Sequence, residues 1–338
     1  MTSGPISPDL GPDPAAAPPL RWGILAAGGI AHNFARTIPA HTASTVVAVG
    51  SRSKDRAQSF ADDEGIGRAH GSYEELVSDP QVEAVYVASP HSEHRDHALL
   101  AIEAGKHVLV EKAFTRNAAE AREVFDAARQ RGVFAMEAMW SRFLPHMFAL
   151  RAALADGAIG DVVTLIASHG QPIAHVPRMA RPELAGGALL DLGIYPLAFA
   201  FDMLGEPSTV HAAGQLTDAG VDATLAITLG YPDAVAQLST TMLARTHNVA
   251  EIAGTGGRIT LPETFFAPTS FTVLPKDGEP VTVAPEVTGG FQYQAAEVAR
   301  RVHAGELESP LHPWAETIAT MVAADEIRRQ VGVVYPGE

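Results

Sequence analysis

Short apolar runs alternate with helical patterns over residues 20–136. The runs read RWGIL, STVVAVG, EAVYVAS, HVLVE and VFAM, and helices are predicted after Gly29, from Asp55, and over EHRDHALLAIEAG and NAAEAREVFDAARQRG. Strands that alternate with helices of this length imply right-handed crossovers and a parallel sheet that is covered on both faces. This part of the chain is therefore predicted to be a doubly wound α/β domain.

Beyond about residue 150 the pattern changes to longer strands with two-residue alternation. The strands ATLAITLGY, AVAQLSTTML, NVAEIAG, GRITL and SFTVL are separated by turns, which predicts one large, mainly antiparallel, open-faced sheet. Flanking helices are predicted over residues 189–203, 291–303 and 314–330. The fold class is accordingly α/β, with two different sheets.

One face of this second sheet carries Gln237, Ser239 and Thr241 among apolar neighbours. Such a sheet normally buries one face under helices and leaves the other available. We expect the free face to form a subunit interface in a homodimer or a dimer of dimers. A solvated face is the alternative.

Composition limits the classes of function. The 338 residues are 46% hydrophobic and 19% charged, and their number exceeds what one core usually serves, so two domains are expected. The absence of cysteine excludes disulfides, thiolate metal sites and a cysteine nucleophile, and is compatible with a cytoplasmic location. A net charge of −15 disfavours nucleic acid and anionic membranes as partners.

The domain limits follow from these patterns. Residues 1–19 are rich in proline and alanine and are predicted to be a disordered tail. Residues 20–139 form the first predicted domain, and residues 140–338 form the second, which is expected to bind substrate and to dimerise. No stretch of about 18 consecutive apolar residues occurs, so no membrane span is expected.

The stretch WGILAAGGIAHNF has the strand, small-residue turn and helix that cradle a pyrophosphate. The fingerprint G-x-G-x-x-G/A falls on Ala26, Gly28 and Ala31, so only the middle glycine is literal. An alanine at the first position is costly if the turn needs a positive φ. A small-residue turn in a purely structural βα unit would look similar.

The tip of the second strand reads GSRSKDR and offers Ser51, Arg52, Ser53, Lys54 and Arg56. NAD-binding domains usually place an acidic residue here to hold the ribose hydroxyls. Without a carboxylate at this tip, the loop would favour a 2′-phosphate. NADP(H) is therefore predicted over NAD(H), and a solvated basic loop is the alternative.

The segments RWGIL..GGIA, VGSRS..RA, AIEAGKHVLVEKAF, MEAMWSRFLP and GGALLDLGIYPL together resemble the Gfo/Idh/MocA family. Within that family they resemble the branch of dimeric dihydrodiol dehydrogenases and NADP-dependent xylose dehydrogenases. The resemblance implies a Rossmann domain, a second α/β domain with an open sheet, and hydride transfer with a pyridine nucleotide.

By this resemblance, the family's Glu-Lys-Pro motif falls on Glu111, Lys112 and Ala113. Its Asp-x-Gly-x-His/Tyr motif falls on Asp191, Gly193 and Tyr195. The family's Lys-Pro peptide is typically cis, and a cis bond before alanine is less favourable than one before proline. Without the resemblance, DLGIYPL would be an ordinary helix start with a core tyrosine.

The chemistry needs a positioned base, and the pKa of a free phenol or ammonium lies near 10. Burial and the cationic nicotinamide would lower the pKa of Lys112, and Lys112 would lower that of Tyr195. We expect Tyr195 to exchange the hydroxyl proton and Lys112 to orient the hydroxyl. Asp191, four residues before Tyr195, is expected on the same helix face as a third catalytic residue that holds substrate or Lys112.

The remaining cofactor contacts are expected from strand ends and from the passage into the second domain. Glu111 is expected to brace the lysine, and the alternative is a charge that closes a strand. For Trp140 and Arg142 the alternative is a core tryptophan and a surface arginine. The predicted cofactor residues are Ala26, Gly28, Gly29, Ile30, Ser51, Arg52, Ser53, Arg56, Ser89, Pro90, His94, Glu111, Lys112, Trp140 and Arg142.

The segment PHSEHRDH places His91, His94 and His97 at three-residue spacing and raises the possibility of a metal hydrolase. No HExxH companion supports that reading, and no metal is predicted. Arg178 and Arg181 are hypothesised to line the substrate pocket and to favour a polyhydroxylated or anionic substrate.

The sequence thus predicts an NADP(H)-dependent dehydrogenase or reductase that acts on CH–OH or CH–CH donors. Its expected substrate is a sugar, polyol or cyclic diol. A sensor that binds NADP(H) without turnover is the alternative function.

Overall fold

The computed structural model describes residues 9–338, which divide into two compact units. The first, here called the Rossmann unit, contains Pro12–Met139 and Phe291–Met321. The second, the open-sheet unit, contains Trp140–Gly290 and Val322–Glu338 together with residues 9–11. This division differs from the predicted limits because residues 291–321 join the Rossmann unit. Their first helix, residues 291–303, packs there against the helix of residues 29–41 and the strand of residues 107–111.

The Rossmann unit contains a six-stranded sheet of order β3-β2-β1-β4-β5-β6. All neighbouring strands are parallel. The predicted doubly wound parallel sheet is confirmed. Its strands are β1 Arg21–Leu25, β2 Thr45–Gly50, β3 Ala69–His70, β4 Ala84–Val87, β5 His107–Glu111 and β6 Ala135–Ala138.

The open-sheet unit contains an eight-stranded sheet of order β14-β13-β12-β11-β7-β10-β9-β8. Only the β7–β10 pair is parallel among these neighbours, which confirms the mainly antiparallel prediction. The strands are β7 Val162–Gly170, β8 Thr209–Leu216, β9 Asp222–Gly230, β10 Val235–Thr241, β11 Ala250–Gly254, β12 Gly257–Leu261, β13 Phe271–Pro275 and β14 Val281–Val283.

Helices cover these sheets, and a π-helical turn, Leu189–Gly193, runs directly into the seventh of them. The helices are α1 Gly29–His41, α2 Lys54–Glu64, α3 Tyr73–Val77, α4 His94–Glu103, α5 Ala118–Arg131, α6 Pro145–Ala155, α7 Ile194–Leu204, α8 Phe291–His303 and α9 Trp314–Val331. Short 3-10 turns include His91–Glu93 and Trp140–Phe143.

Residues 9–19 differ from the predicted disordered tail, and residues 1–8 lie outside the described part. Pro14–Ala16 form a 3-10 turn that Asp13 caps, and Ala17 is buried. The Arg300 guanidinium in α8 donates to the carbonyls of Pro12 and Asp13. Proline-rich composition does not prevent order here because prolines suit an extended segment whose carbonyls are bonded from outside.

Asn117 caps the start of α5. Asn117 Oδ1 accepts from the Glu120 amide at 2.9 Å. Glu120 Oε2 accepts from the amide of Arg116 at 3.1 Å. The Glu120 carboxylate also pairs with the Arg116 guanidinium, so its charge is neutralised locally.

One helical segment, Pro182–Leu204, is long and apolar enough to cross a membrane, but 89% of its most apolar window is buried inside the fold. It contains the π-helical turn and α7, which pack on β7 and β10. A core helix passes the same test of length and composition. Its apolar residues are therefore explained by the core of the open-sheet unit.

Candidate active site

The carboxyl ends of β1, β2, β4 and β5 meet at one edge of the parallel sheet. In the strand order β3-β2-β1-β4-β5-β6, the direction of winding reverses between β1 and β4. Open α/β sheets bind ligands at such a switch point, outside the strand ends. The predicted cofactor residues of the Rossmann unit lie in the loops that leave this edge.

The loop after β1 fits a phosphate-bearing ligand. Ala26 adopts a positive φ of 79°, so this turn does need the conformation that favours glycine. Gly28 precedes α1 without any side-chain cap. A Cβ on Gly28 would meet only the Ala88 carbonyl oxygen, at 3.9 Å, and one on Gly29 would meet nothing within 4 Å. The chain itself leaves space beside the first-turn amides of α1, as a bound phosphate requires.

The basic loop after β2 has an exposed arginine at its tip. Arg52 and Arg56 are exposed, and both lie near the Tyr73 hydroxyl. Burial raises the pKa of Tyr73, and the two arginine charges oppose that rise only in part. Ser53 Oγ caps α2 through the Arg56 amide. Lys54 instead donates its ammonium to the Ala69 carbonyl. Arg52 and Arg56 are thus the cations of this loop best suited to a ligand phosphate.

Histidines after β4 hold the backbone of the neighbouring loops. His94 is buried, and its two ring nitrogens lie 2.9 Å from the Ala113 carbonyl oxygen and 2.8 Å from that of Ser89. Burial lowers the pKa of His94, while these carbonyls favour its protonated form. His91 Nε2 lies 3.1 Å from the Lys112 carbonyl oxygen. His94 therefore supports the cofactor loops through their backbone.

The end of β5 carries a buried carboxyl beside the predicted catalytic lysine. Tyr86 donates its hydroxyl to Glu111 Oε1, and the Lys112 amide donates to Oε2 at 3.2 Å. Burial raises the pKa of Glu111 to about 7, against the lowering effects of Lys112 and Tyr86. Glu111 thus holds the backbone of the lysine segment, and its contact with a cofactor stays a prediction. The Lys112–Ala113 peptide is cis.

A second buried carboxylate supports the same segment from β6. Glu137 Oε1 accepts from the Phe114 amide at 3.1 Å, and Oε2 lies 3.1 Å from His312 Nε2. The Trp314 indole, at the start of α9, donates to the Ala135 carbonyl. Residues 291–321 thereby stabilise the strand ends that present Lys112.

In the open-sheet unit, the predicted Asp191 and Tyr195 lie on two kinds of helix. Asp191 belongs to the π-helical turn and Tyr195 to the first turn of α7. The four-residue spacing predicts one face of an α-helix; Asp191 instead lies in the π-helical turn, and the shared face stays a prediction. The two side chains bind different partners.

The Tyr195 hydroxyl is oriented by a tryptophan. Trp140 Nε1 donates to it at 3.0 Å, which leaves its own proton directed elsewhere. Phe266 stacks on the Tyr195 ring with centroids 4.6 Å apart, and the His169 ring meets its edge at 5.3 Å. Trp140 therefore acts on the tyrosine within this unit.

Asp191 forms a bidentate ion pair with Arg178. The two guanidinium nitrogens lie 2.9 and 3.1 Å from the two carboxylate oxygens. Arg181, the other arginine hypothesised for the pocket, pairs with the exposed Glu183 at 2.7 Å. The charge of each arginine is balanced within its own loop and helix.

Arg142 is buried rather than at the surface. It pairs with Asp202 at 3.3 Å, and Arg151 binds the other oxygen of the same carboxylate at 2.8 Å. The alternative of a surface arginine is therefore wrong. In the open-sheet unit this arginine ties the 3-10 turn after Met139 to α7.

Among residues 9–338, no group of three His, Asp or Glu side chains is arranged to hold a metal ion. The three histidines that suggested one have other partners. His91 and His94 hold carbonyls, and His97 Nδ1 lies 2.9 Å from Ser89 Oγ.

Sequence reasoning missed His169, Phe266 and Asp222. Asp222 is buried on β9, accepts from the Leu189 amide at 2.6 Å, and so caps the π-helical turn. Burial raises its pKa to about 6. Of these three residues, only His169 has a sequence signal, which is that Pro196 has no N–H to donate inside a helix. That signal does not reveal which residue donates in its place.

Two models of protein families match two successive segments of the chain. Residues 20–139 match the family model described as "Oxidoreductase family, NAD-binding Rossmann fold". Residues 147–260 match the model of the GFO/IDH/MocA C-terminal domain.

Whole-chain relatives agree with these matches. The chain is 39% identical to trans-1,2-dihydrobenzene-1,2-diol dehydrogenase of Mus musculus, over 94% of this chain and 98% of that enzyme. Identity to the enzyme of the same description from Xenopus laevis is 39%, over 94% and 99%. The crystal structure of KijD10, a 3-ketoreductase from Actinomadura kijaniata in complex with NADP and TDP-benzene, gives a TM-score of 0.82 at 27% identity, over 93% of this chain and 98% of that one.

The raised pKa of Glu111 predicts a specific pH dependence of stability. Its folded pKa of about 7 lies above the usual 4.5, so the folded state holds a proton that the unfolded chain releases between these values. Stability from this group is present at low pH and is lost as the pH rises toward 7. Relative to Glu111→Gln, the wild type should lose on the order of 1–3 kcal/mol of unfolding free energy between about pH 5 and about pH 8.

Denaturant unfolding of both proteins at the two pH values measures this difference. Glu103→Gln, at an exposed position of α4, is the matched control and should leave the pH dependence unchanged. A pH-independent difference between wild type and Glu111→Gln would show that Glu111 stays ionised in the fold.

Proposed function

The chain belongs to the Gfo/Idh/MocA family of oxidoreductases, and on that premise we propose that it is an NADP(H)-dependent enzyme that transfers a hydride between nicotinamide and the carbinol or carbonyl carbon of a sugar, polyol or cyclic diol. The observation that carries the proposal is the identity of 39% to a diol dehydrogenase over nearly the whole of both chains. A cytoplasmic location stays a prediction.

The preference for NADP(H) is supported by the loop after β2. Arg52 and Arg56 are exposed there, and no carboxylate occupies the tip to hold free ribose hydroxyls. An arginine guanidinium binds phosphate oxygens through two parallel hydrogen bonds. The NADP bound to the 3-ketoreductase agrees with this choice.

The residues that would hold the cofactor lie in the loops at the strand ends. The amides after Gly28 would bind the pyrophosphate, Arg52 and Arg56 the 2′-phosphate, and the loop at Ser89 and Pro90 the nicotinamide end. The bound cofactor supplies or accepts the hydride. The protein must then exchange the hydroxyl proton of the substrate.

We assign that proton to Tyr195, with Lys112 orienting the substrate hydroxyl. The indole of Trp140 donates to the phenol oxygen, and the same donor would hydrogen-bond a phenolate at that position. Glu111, with its pKa of about 7, holds the Lys112 backbone without presenting a full permanent carboxylate beside the ammonium. Asp191 supports the tyrosine by fixing the π-helical turn to Arg178.

The aromatic surroundings of Tyr195 support a ring-shaped substrate. Phe266 and Trp140 flank the phenol, and flat apolar faces of this kind pack on the ring carbons of a sugar or cyclic diol. The description of the mouse relative as a dihydrobenzenediol dehydrogenase agrees with that substrate class.

We further propose that the open face of the eight-stranded sheet forms a homodimer, or the repeated contact of a dimer of dimers. Ile166 on β7 and Val235 on β10 are 45% and 41% exposed there. Gln237 and Ser239 are exposed beside them, while Thr241 pairs with Thr224 across the strands. These apolar and uncharged polar side chains, which Glu251 borders from β11 opposite Ile166, suit burial against a second copy.

Replacing Arg52 by alanine tests cofactor selectivity. Loss of a charge-assisted phosphate contact should raise the Kd for NADPH by about 10- to 100-fold and leave that for NADH nearly unchanged. Fluorescence titration of both nucleotides measures it. Lys54→Ala is the control in the same loop, since its ammonium is bonded to the Ala69 carbonyl. Equal losses for both nucleotides would contradict a 2′-phosphate contact.

Lys112→Ala and Tyr195→Phe test the proton assignment. Each should lower kcat by about 100-fold or more, because a general acid–base group contributes about 10²- to 10⁴-fold, and each should still bind NADPH. Reduced-cofactor absorbance is followed with a panel of aldoses, polyols and dihydrodiols. Lys106→Ala and Tyr231→Phe, which change the same residue types elsewhere, should retain turnover.

Near-normal rates in both catalytic variants would refute the assignment. Tight NADPH binding by the wild type without turnover of any panel member would favour the sensor function instead.

The dimer is tested with a charge on the open face. Ile166→Glu should convert the wild-type dimer to monomer in sedimentation velocity, because it buries an unpaired carboxylate. Val334→Glu, at a position that is 74% exposed, is the control and should remain dimeric. A monomeric wild type, or an unaffected Ile166→Glu variant, would overturn the proposed interface.

A further inference from the structure

A proline interrupts the backbone hydrogen bonding just where the π-helical turn meets α7. In a regular α-helix the Leu192 carbonyl would accept from the amide of residue 196, which is Pro196 and has no N–H. The Ile194 amide is directed at this carbonyl as well as at that of Leu189. His169 on β7 provides a donor from outside the helix. Its Nδ1 lies 3.0 Å from the Leu192 carbonyl oxygen.

The tautomer of His169 is set by its other neighbour. The side-chain amide of Gln171 lies with Nε2 3.0 Å from His169 Nε2 and donates to it. With Nε2 as acceptor, the ring proton resides on Nδ1 and is available to Leu192. His169 is buried, and its own carbonyl accepts from the Thr240 hydroxyl at 2.9 Å, so the donor is held on both sides.

The same imidazole contacts the rings around Tyr195. It meets the edge of the Tyr195 ring at 5.3 Å and packs on Phe266 at 4.0 Å. The π-helical turn lies close to β10, since a Cβ on Gly193 would approach Thr240 Cγ2 to 2.9 Å. A small shift of this turn would therefore move Asp191 and Tyr195 together.

We propose that His169 is a positioning residue for Tyr195: its neutral imidazole donates from β7 to the Leu192 carbonyl, which Pro196 cannot serve, and so fixes the turn that carries Asp191 and Tyr195. This inference rests on the proposed function for its kinetic consequence only. The positional consequence is independent of which substrate is turned over.

Three substitutions separate the hydrogen bond from packing. In His169→Asn, the side-chain amide nitrogen takes the place of Nδ1 and reaches Leu192. His169→Gln carries the same amide one bond farther out, where it replaces Nε2 and misses the carbonyl. His169→Phe keeps the ring contacts with Tyr195 and Phe266 but has no donor.

The Phe and Gln variants should lose about 10- to 100-fold in kcat, as displacement of a reacting group by about 1 Å does, with a smaller change in KM. His169→Asn should recover most of that loss. NADPH affinity, which depends on the Rossmann unit, should be unchanged in all three. The pH profile of kcat/KM should keep its wild-type limbs, because a positioning histidine exchanges no proton with substrate.

Full activity in His169→Phe, or equal activity in the Asn and Gln variants, would overturn the proposal, and loss of a limb of the pH profile would make His169 an acid–base group instead. If the wild type turns over no substrate, the proposed function has failed and the crystal structures of the variants decide. A Trp140 Nε1 to Tyr195 hydroxyl distance that stays at 3.0 Å in His169→Phe would then refute the positioning role. Should the Phe variant fail to fold, the same distance in the Asn and Gln variants gives the answer.

Discussion

A buried backbone carbonyl needs a hydrogen-bond donor, and in each unit a buried imidazole lies against carbonyls next to a predicted site residue. In the Rossmann unit the carbonyls of Ser89 and Ala113 lie against the two nitrogens of His94. In the open-sheet unit the carbonyl of Leu192 lies against His169. Imidazole suits this task because it is rigid and carries its donor at the end of a side chain that packs like an apolar ring. Lys112 and Tyr195, the residues predicted to act in catalysis, lie in the segments that these two histidines hold.

Burial also sets the electrostatics next to the lysine. A carboxylate at the end of β5 would ordinarily hold the ammonium in its charged form through direct attraction. Desolvation raises the pKa of Glu111 to about 7, so this carboxyl is partly protonated and partly ionised near neutral pH. The hydrogen bonds from Tyr86 and the Lys112 amide remain in either state. Geometry at Lys112 is thus supported without a strong permanent ion pair.

The sequence predicted the elements whose pattern is regular and whose chemistry stands at strand ends. The parallel strands are continuous apolar runs, and α8 and α9 have clear helical periods, so their existence was evident. β3, α3 and β14 are too short to establish a period, and nearly all of β8 is exposed or half-buried, so these elements carry no such signal. The assignment of residues 291–321 to the Rossmann unit was not predictable, because it depends on packing between residues far apart in sequence. His169 was missed for the same reason, since only the folded chain brings β7 to the carbonyl of Leu192.

The pairing of charges in the open-sheet unit bears on what kind of substrate its residues can recognise. Arg178 and Asp191 neutralise each other through two parallel hydrogen bonds, and Arg142 and Arg151 share Asp202. An anionic substrate would have to compete with an internal carboxylate for each of these cations, and separating such a pair leaves a partly buried charge without its partner. A neutral hydroxylated ring faces no such cost, since it needs only a donor, an acceptor and flat apolar surfaces. Tyr195, Trp140 and Phe266 offer that combination, which favours the proposed neutral polyol or diol over the anionic substrate that the sequence also predicted.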